Sequence, residues 1–219
     1  TLGAGVSFSG PVVLAAGGGA ITLTGSNAGN NVSFSGTSTV NGAQPLNIVA
    51  GGGTASFGGV VGGGTALTSV SVTGTTNINT TGITTAGGQT YTGAVTLSSS
   101  TSLNAGAGAI SSGAVTSAGF NLGIANGGGA TIASASLGAG TFDLTGVTGG
   151  TITVTGALTA GALTTGAAAY NVALDGGGTV TAATTFYNTG TLTIPSGLAF
   201  TNGVTATSPS TSNLAGTIS

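Results

Sequence analysis

The sequence predicts an all-β chain wound as a parallel β-helix, a β-solenoid of roughly 7–10 coils at about 20–30 residues per coil. Three observations predict it. A five-residue pattern of apolar, Thr or Ser (once Asp), apolar, Thr or Ser, glycine recurs six times along the 219 residues. No stretch carries a helical pattern. The chain is almost without charge.

The pattern is VSFSG at 6–10 and again at 32–36, ITLTG at 21–25, VSVTG at 70–74, FDLTG at 142–146 and ITVTG at 152–156. Its period is 2, so Val6 and Phe8 point one way and Ser7 and Ser9 the other, which marks a half-buried strand. Gly10, Gly25, Gly36, Gly74, Gly146 and Gly156 close each copy where the backbone must turn. The two VSFSG copies lie 26 residues apart and set the length of a coil. At about 4.8 Å per strand spacing the coils would build a rod roughly 35–50 Å long.

Two longer repeats interleave with the first. LNIVAGGGT (46–54), FNLGIANGGGAT (120–131) and YNVALDGGGT (170–179) place Asn47, Asn121 and Asn171 at one motif position. These three are expected to stack as an internal amide ladder at a corner. TGAVTL (92–97), TGALTA (155–160) and TGTLTI (189–194) form the third repeat. Helix is excluded by the β-branched residues and by 46 glycines, each costing about 1 kcal/mol against Ala inside a helix. Pro11, Pro45, Pro195 and Pro209 fall at run boundaries or in loops, as strand pairing requires. An antiparallel sandwich fits short strands, but not the recurring coil-length repeats. A membrane β-barrel would want strands of about 10 residues and aromatic girdles, and neither is present.

Composition narrows function. There is no Lys, Arg, His or Cys, and Asp143 and Asp175 are the only acids. Charged residues make up 1% of the chain, against about 25% in ordinary soluble domains. Stacking explains the depletion, because a charge on one coil would face its repeat one strand spacing away, whereas Thr, Ser and Asn can pair there. Nucleic-acid binding and basic membrane-surface helices are excluded without cations. Metal sites of His and Cys are excluded too, and no cofactor is expected. Disorder is disfavoured by a positive mean hydropathy of +0.53. The most apolar run, PVVLAAGGGAI at 11–21, is too short to span a membrane as a helix. Residues 1–219 are read as one solenoid domain. A chain opening on TLGAG reads as a segment or processed product of something longer.

The candidate sites have structural readings. Asp143 stands where other copies carry a hydroxyl and should face solvent. Asp175 precedes Gly176–Gly178, as turn aspartates do. Two acids 32 residues apart make neither a Ca²⁺ cage nor a glycosidase pair, so no enzymatic activity is expected. The glycine triplets at 17–19, 51–53, 62–64, 127–129 and 176–178 lack the Lys and helix of a phosphate loop and read as turns. Tyr91, Tyr170, Tyr187 and the seven Phe residues would serve sugar binding only if they formed an exposed row. The alternation puts Phe8, Phe34 and Phe142 in the core instead. Asn31-Val32-Ser33 and Asn79-Thr80-Thr81 match the N-glycosylation triplet.

The segment LTSVSVTGTTNINTTGITTAGGQTYTGAVTL (67–97) resembles repeats of the filamentous-haemagglutinin-like and β-strand-repeat adhesins, very large bacterial surface exoproteins. GGQTYTGAVTL, Gly87–Leu97, carries the likeness best. In that family a Gln-Thr-Tyr turn leads into a strand, and many repeats build a right-handed parallel β-helix. The resemblance implies an extracellular or cell-surface location and a stiff secreted rod with a role in adhesion or biofilm matrix. The chain departs from the family in having no basic residue and no identifiable secretion domain.

The expected function is therefore a structural fibre or adhesin segment. Its expected partners are copies of itself, stacked end to end through open strand edges, and cell-surface glycans or matrix. Two alternatives stand beside it. One is an ice-binding solenoid displaying Thr22/Thr24, Thr151/Thr153/Thr155 and Thr191/Thr193. The other is a polysaccharide-binding passenger domain.

Overall fold

The computed structural model describes residues 5–17, 19–25, 29–195 and 197–215. All regular elements among them are short parallel strands stacked as a β-solenoid of about nine turns, and none is a helix. Each coil visits three walls in turn. The first wall carries the rung Ile21, Leu46, Val70, Gln89, Ile110, Ala130, Ile152, Val172 and Leu192. The second carries Val6, Val32, Ala55, Thr76, Val95, Val115, Ala135, Leu158, Gly178 and Leu198. The third begins at Val12 and Val40, passes Val61, Ile83, Leu103 and Ile124, and continues through Leu144 and Thr165 to strands Thr184–Phe186 and Val204–Ala206. Successive second-wall partners are 26, 23, 21, 19, 20, 20, 23, 20 and 20 residues apart. The register is held while the corners absorb the length differences. Nine rung steps at about 4.8 Å give a stack about 43 Å long.

Alternation along each strand builds the core. Val32 and Phe34 are buried while Ser33 between them is not, and Ile152/Thr153/Val154 repeats the pattern. Inward residues of all three walls form one apolar column from Leu14 to Phe200. Phe8, Phe34 and Phe57 stack in it, with ring centroids 5.1 and 5.7 Å apart and interplanar angles of 11° and 4°. Phe34 and Phe142 are buried, as the alternation predicts, and Phe8 is half-buried.

The six copies of the opening motif are not six equivalents. The two VSFSG copies stack directly, Val6 on Val32 and Phe8 on Phe34. Ile21, Val70 and Ile152 share the first-wall rung, and FDLTG lies on the third wall. The motif is thus a unit of strand plus corner that serves any wall. Its glycines divide accordingly. Gly74 sits inside the continuous strand Ser69–Ile78, which bends round the corner at φ +111°, so it does not end a strand. Gly36 also has positive φ. At Gly25, Gly146 and Gly156 any Cβ would press on the neighbouring chain, at Asn30, Ala125 and Ala133 respectively. Gly10 has open space around it. Pro45 opens a strand, where no ladder donor is lost.

Candidate functional site

The outward row of the second wall reads Ser7, Ser33, Ser56, Asn77, Thr96, Thr116, Ser136, Thr159, Thr179 and Ala199, in register. The first wall presents Thr22, Asn47, Ser71, Thr90, Ser111, Thr131, Thr153, Ala173 and Thr193. Thr22, Thr153 and Thr193 have no common sequence period, yet they occupy one row because coil length varies at the corners. These two walls are neutral and mostly hydroxyl-bearing.

Asn47, Asn121 and Asn171 do not form the expected ladder. Asn47 lies one residue after the first-wall rung and Asn171 one residue before it. Asn121 precedes a third-wall strand and is exposed. Two of them act instead as staples between coils. Asn121 Oδ1 accepts the Thr141 backbone N–H at 2.8 Å, and Asn171 Oδ1 accepts that of Thr191 at 2.8 Å. Asn31 and Asn41 do the same to Thr54 and Gly64. The internal corner amides are Asn126 and Asn188, which the motifs did not single out. Each donates from Nδ2 to a carbonyl of the preceding coil, Gly108 or Tyr170, and to its own corner at Gly129 or Thr191. An available signal was the apolar–x–Asn spacing of Ile124-Ala125-Asn126 and Phe186-Tyr187-Asn188, which turns the amide inward at the end of a strand.

The Gln-Thr-Tyr stretch is a strand, Gln89–Tyr91, and not a turn. Gln89 and Tyr91 point inward, and both are fully buried. Gln89 Nε2 lies within hydrogen-bond reach of Ile83 O (3.0 Å), Thr85 Oγ1 (3.2 Å) and Asn104 O (2.8 Å). Its Oε1 accepts from the Tyr91 hydroxyl at 3.0 Å. This cluster ties the chain's own corner to the next coil in an apolar interior. Gln89→Leu leaves the buried Tyr91 hydroxyl without a partner, while Asn104 O keeps the Thr85 N–H, and is expected to cost about 2 kcal/mol in urea unfolding. Burial pushes the Tyr91 phenol well above its ordinary value. Stability from this group is therefore complete below the unfolded-state pKa of about 10 and is lost as pH rises beyond it. Tyr91→Phe is expected to flatten that alkaline loss.

Asp143 faces outward on the third wall, between Gly123 and Thr164 in the outer row. Partial burial raises its carboxyl, but the Thr145 N–H and the Thr164 and Thr145 hydroxyls, at 2.8–3.0 Å from Oδ1, outweigh this and hold it below the usual carboxylate range. Asp175 follows the first-wall strand Asn171–Leu174, so the two acids stand on different elements. Tyr91 and Tyr170 are buried, and Tyr187 is 47% exposed. Among the described residues the aromatics make no exposed row, and no group of three or more potential metal ligands occurs. No helix of the described residues is long and apolar enough to cross a membrane. No protein-family model, curated protein or solved structure matches the chain.

Proposed function

We propose that this chain is a structural segment of an extracellular fibre or surface adhesin, whose rods join end to end. The observation that carries the reading is the uninterrupted register. The second-wall rung steps from Val6 to Leu198 in parallel pairs, and among the described residues its terminal strands, Val6–Phe8 and Leu198–Phe200, pair on one side only. Such edges are templates for another chain, and no charge on either strand blunts them. Apolar side chains are half-covered at one end, at Val6 and Phe8, and exposed near the other, at Val204 and Leu214. The resemblance of residues 67–97 to bacterial surface repeats supports the location. In electron microscopy, purified chain at rising concentration is expected to lengthen into rods of uniform width. Compact particles of unchanged length at every concentration would rule out the end-to-end part.

A second reading, an ice-binding array, is favoured by the shared row of Thr22, Thr153 and Thr193 on an uncharged wall. It expects thermal hysteresis that Thr153→Lys abolishes. An unshifted freezing point for the parent chain removes it.

A further inference from the structure

Three shallow depressions, of about 420, 370 and 350 Å³, lie along the third wall and its corner with the second. They follow one another along the rod, neighbours sharing a lining residue. Thr81 lines both the first and the second, and Thr145 both the second and the third. The result is one trough running with the rod axis from Thr39 to Tyr187. It crosses about eight rungs, or about 34 Å at 4.8 Å per step.

The sequence makes the trough by omitting side chains. Gly123 stands in the outer row between Ser102 and Asp143, and Ala125 stands beside Asn104. Gly58 and Gly59 line the N-terminal depression for a different reason, since a Cβ there would press on the backbone of the preceding coil at Gly36 and Ser38. What remains on the rims is hydroxyl, amide and one carboxylate. All three donors to Asp143 converge on Oδ1, and no donor among the described residues reaches Oδ2, which is left to accept from a ligand. Tyr187, the most exposed aromatic among the described residues, lines the far end with a ring able to cover an apolar sugar face.

We infer that this trough binds an extended, uncharged polysaccharide. A linear groove of this length suits a chain polymer better than a compact ligand. Its hydroxyl and amide rims match a polyol that both donates and accepts. Anionic polymers find no Lys, Arg or His anywhere in the chain, and they meet Asp143. A peptide adding as a strand would need an unpaired edge, and the strands that line the middle of the trough, Thr101–Gly106, Leu122–Asn126 and Thr141–Leu144, are paired on both sides. Ala162–Thr165 beyond them pairs on one side, and its Thr165 hydroxyl bridges to Thr185 and Tyr187 of the next coil. The inference goes beyond the fibre reading and does not depend on polymerisation.

The test is calorimetric titration of the intact chain with soluble neutral glucan, mannan and xylan, and with polygalacturonate as the anionic counterpart. At least one neutral polymer is expected to bind with Kd below about 1 mM and at least tenfold tighter than polygalacturonate. Gly123→Val fills the trough, and its Cβ meets Ser102 only at an ordinary 3.6 Å with no positive φ. It is expected to weaken binding tenfold or more at unchanged melting temperature. Tyr187→Ala, at an exposed position, is expected to weaken it several-fold and decides the matter if the valine variant fails to fold. Thr131→Val on the first wall should have no effect. Failure of every neutral polymer to bind, equal or tighter binding of polygalacturonate, or trough variants that bind as the parent does would each overturn the inference. Binding without concentration-dependent lengthening would leave this inference standing while the fibre reading fell.

Discussion

Phe34→Ala is expected to remove about 3–5 kcal/mol of stability, the range for deleting a buried phenylalanine. The ring is 1% exposed and stacked between Phe8 and Phe57 at centroid distances of 5.1 and 5.7 Å. The neighbours cannot close on the gap, because their backbones are held one strand spacing apart by the ladder through Val32, Ser33 and Phe34. In a solenoid each coil touches only its neighbours, so the loss should be local before it is global. Hydrogen exchange is expected to show protection falling first over residues 5–60, with the C-terminal coils retaining theirs. A stability loss under 1 kcal/mol, or a uniform loss of protection along the chain, would contradict the stacked-column account.

Gly176→Ala is expected to cost about 3 kcal/mol or more, whereas Gly10→Ala should be close to neutral. A Cβ on Gly176 would fall on the Cα, C and O of Gly156, one coil back, so glycine rests on glycine and the coils meet backbone to backbone. The clash is with main chain, which no rotamer change relieves. Gly10 has nothing within 4 Å and no positive φ, so a methyl there enters solvent. Melting curves of the two variants decide between inter-coil contact and generic turn formation as the reason for these glycines. Equal shifts would favour the latter.

Much of this was legible in the sequence, and the limits have physical causes. Val6, Phe8, Val32 and Phe34 show the strand, its inner face and the 26-residue coil, because side-chain alternation is a local property of a pleated chain. The wall on which each copy lies was not legible. ITLTG and ITVTG stack in one rung ladder, whereas FDLTG, with the same pattern, lies on another wall, because corners of different length separate the copies. The same cause misled the asparagine motif. Asn47 and Asn171 share sequence neighbours but are offset across the first-wall rung, whereas Asn126 and Asn188 share geometry with only the short apolar–x–Asn spacing in common. Gln89 was found through the likeness of Gly87–Leu97 to surface repeats, but its inward direction follows from strand phase, which a turn assignment conceals. The trough was invisible in sequence, since Gly123 and Asp143 become neighbours only through the pairing of two coils.

The central claim is that each coil stacks in register on the last, and distances between spin labels test it most directly. The chain has no cysteine, so Ser33→Cys with Thr179→Cys gives one labelled pair on the second-wall outer row, and Thr96→Cys with Thr179→Cys gives another. The first pair is separated by seven rung steps, about 34 Å, and the second by four, about 19 Å, before allowance for the label tethers. Two narrow distributions whose means differ by about 14 Å, three rung spacings, are the predicted result. Equal means, or distributions too broad to separate, would contradict the solenoid register on which the rest depends.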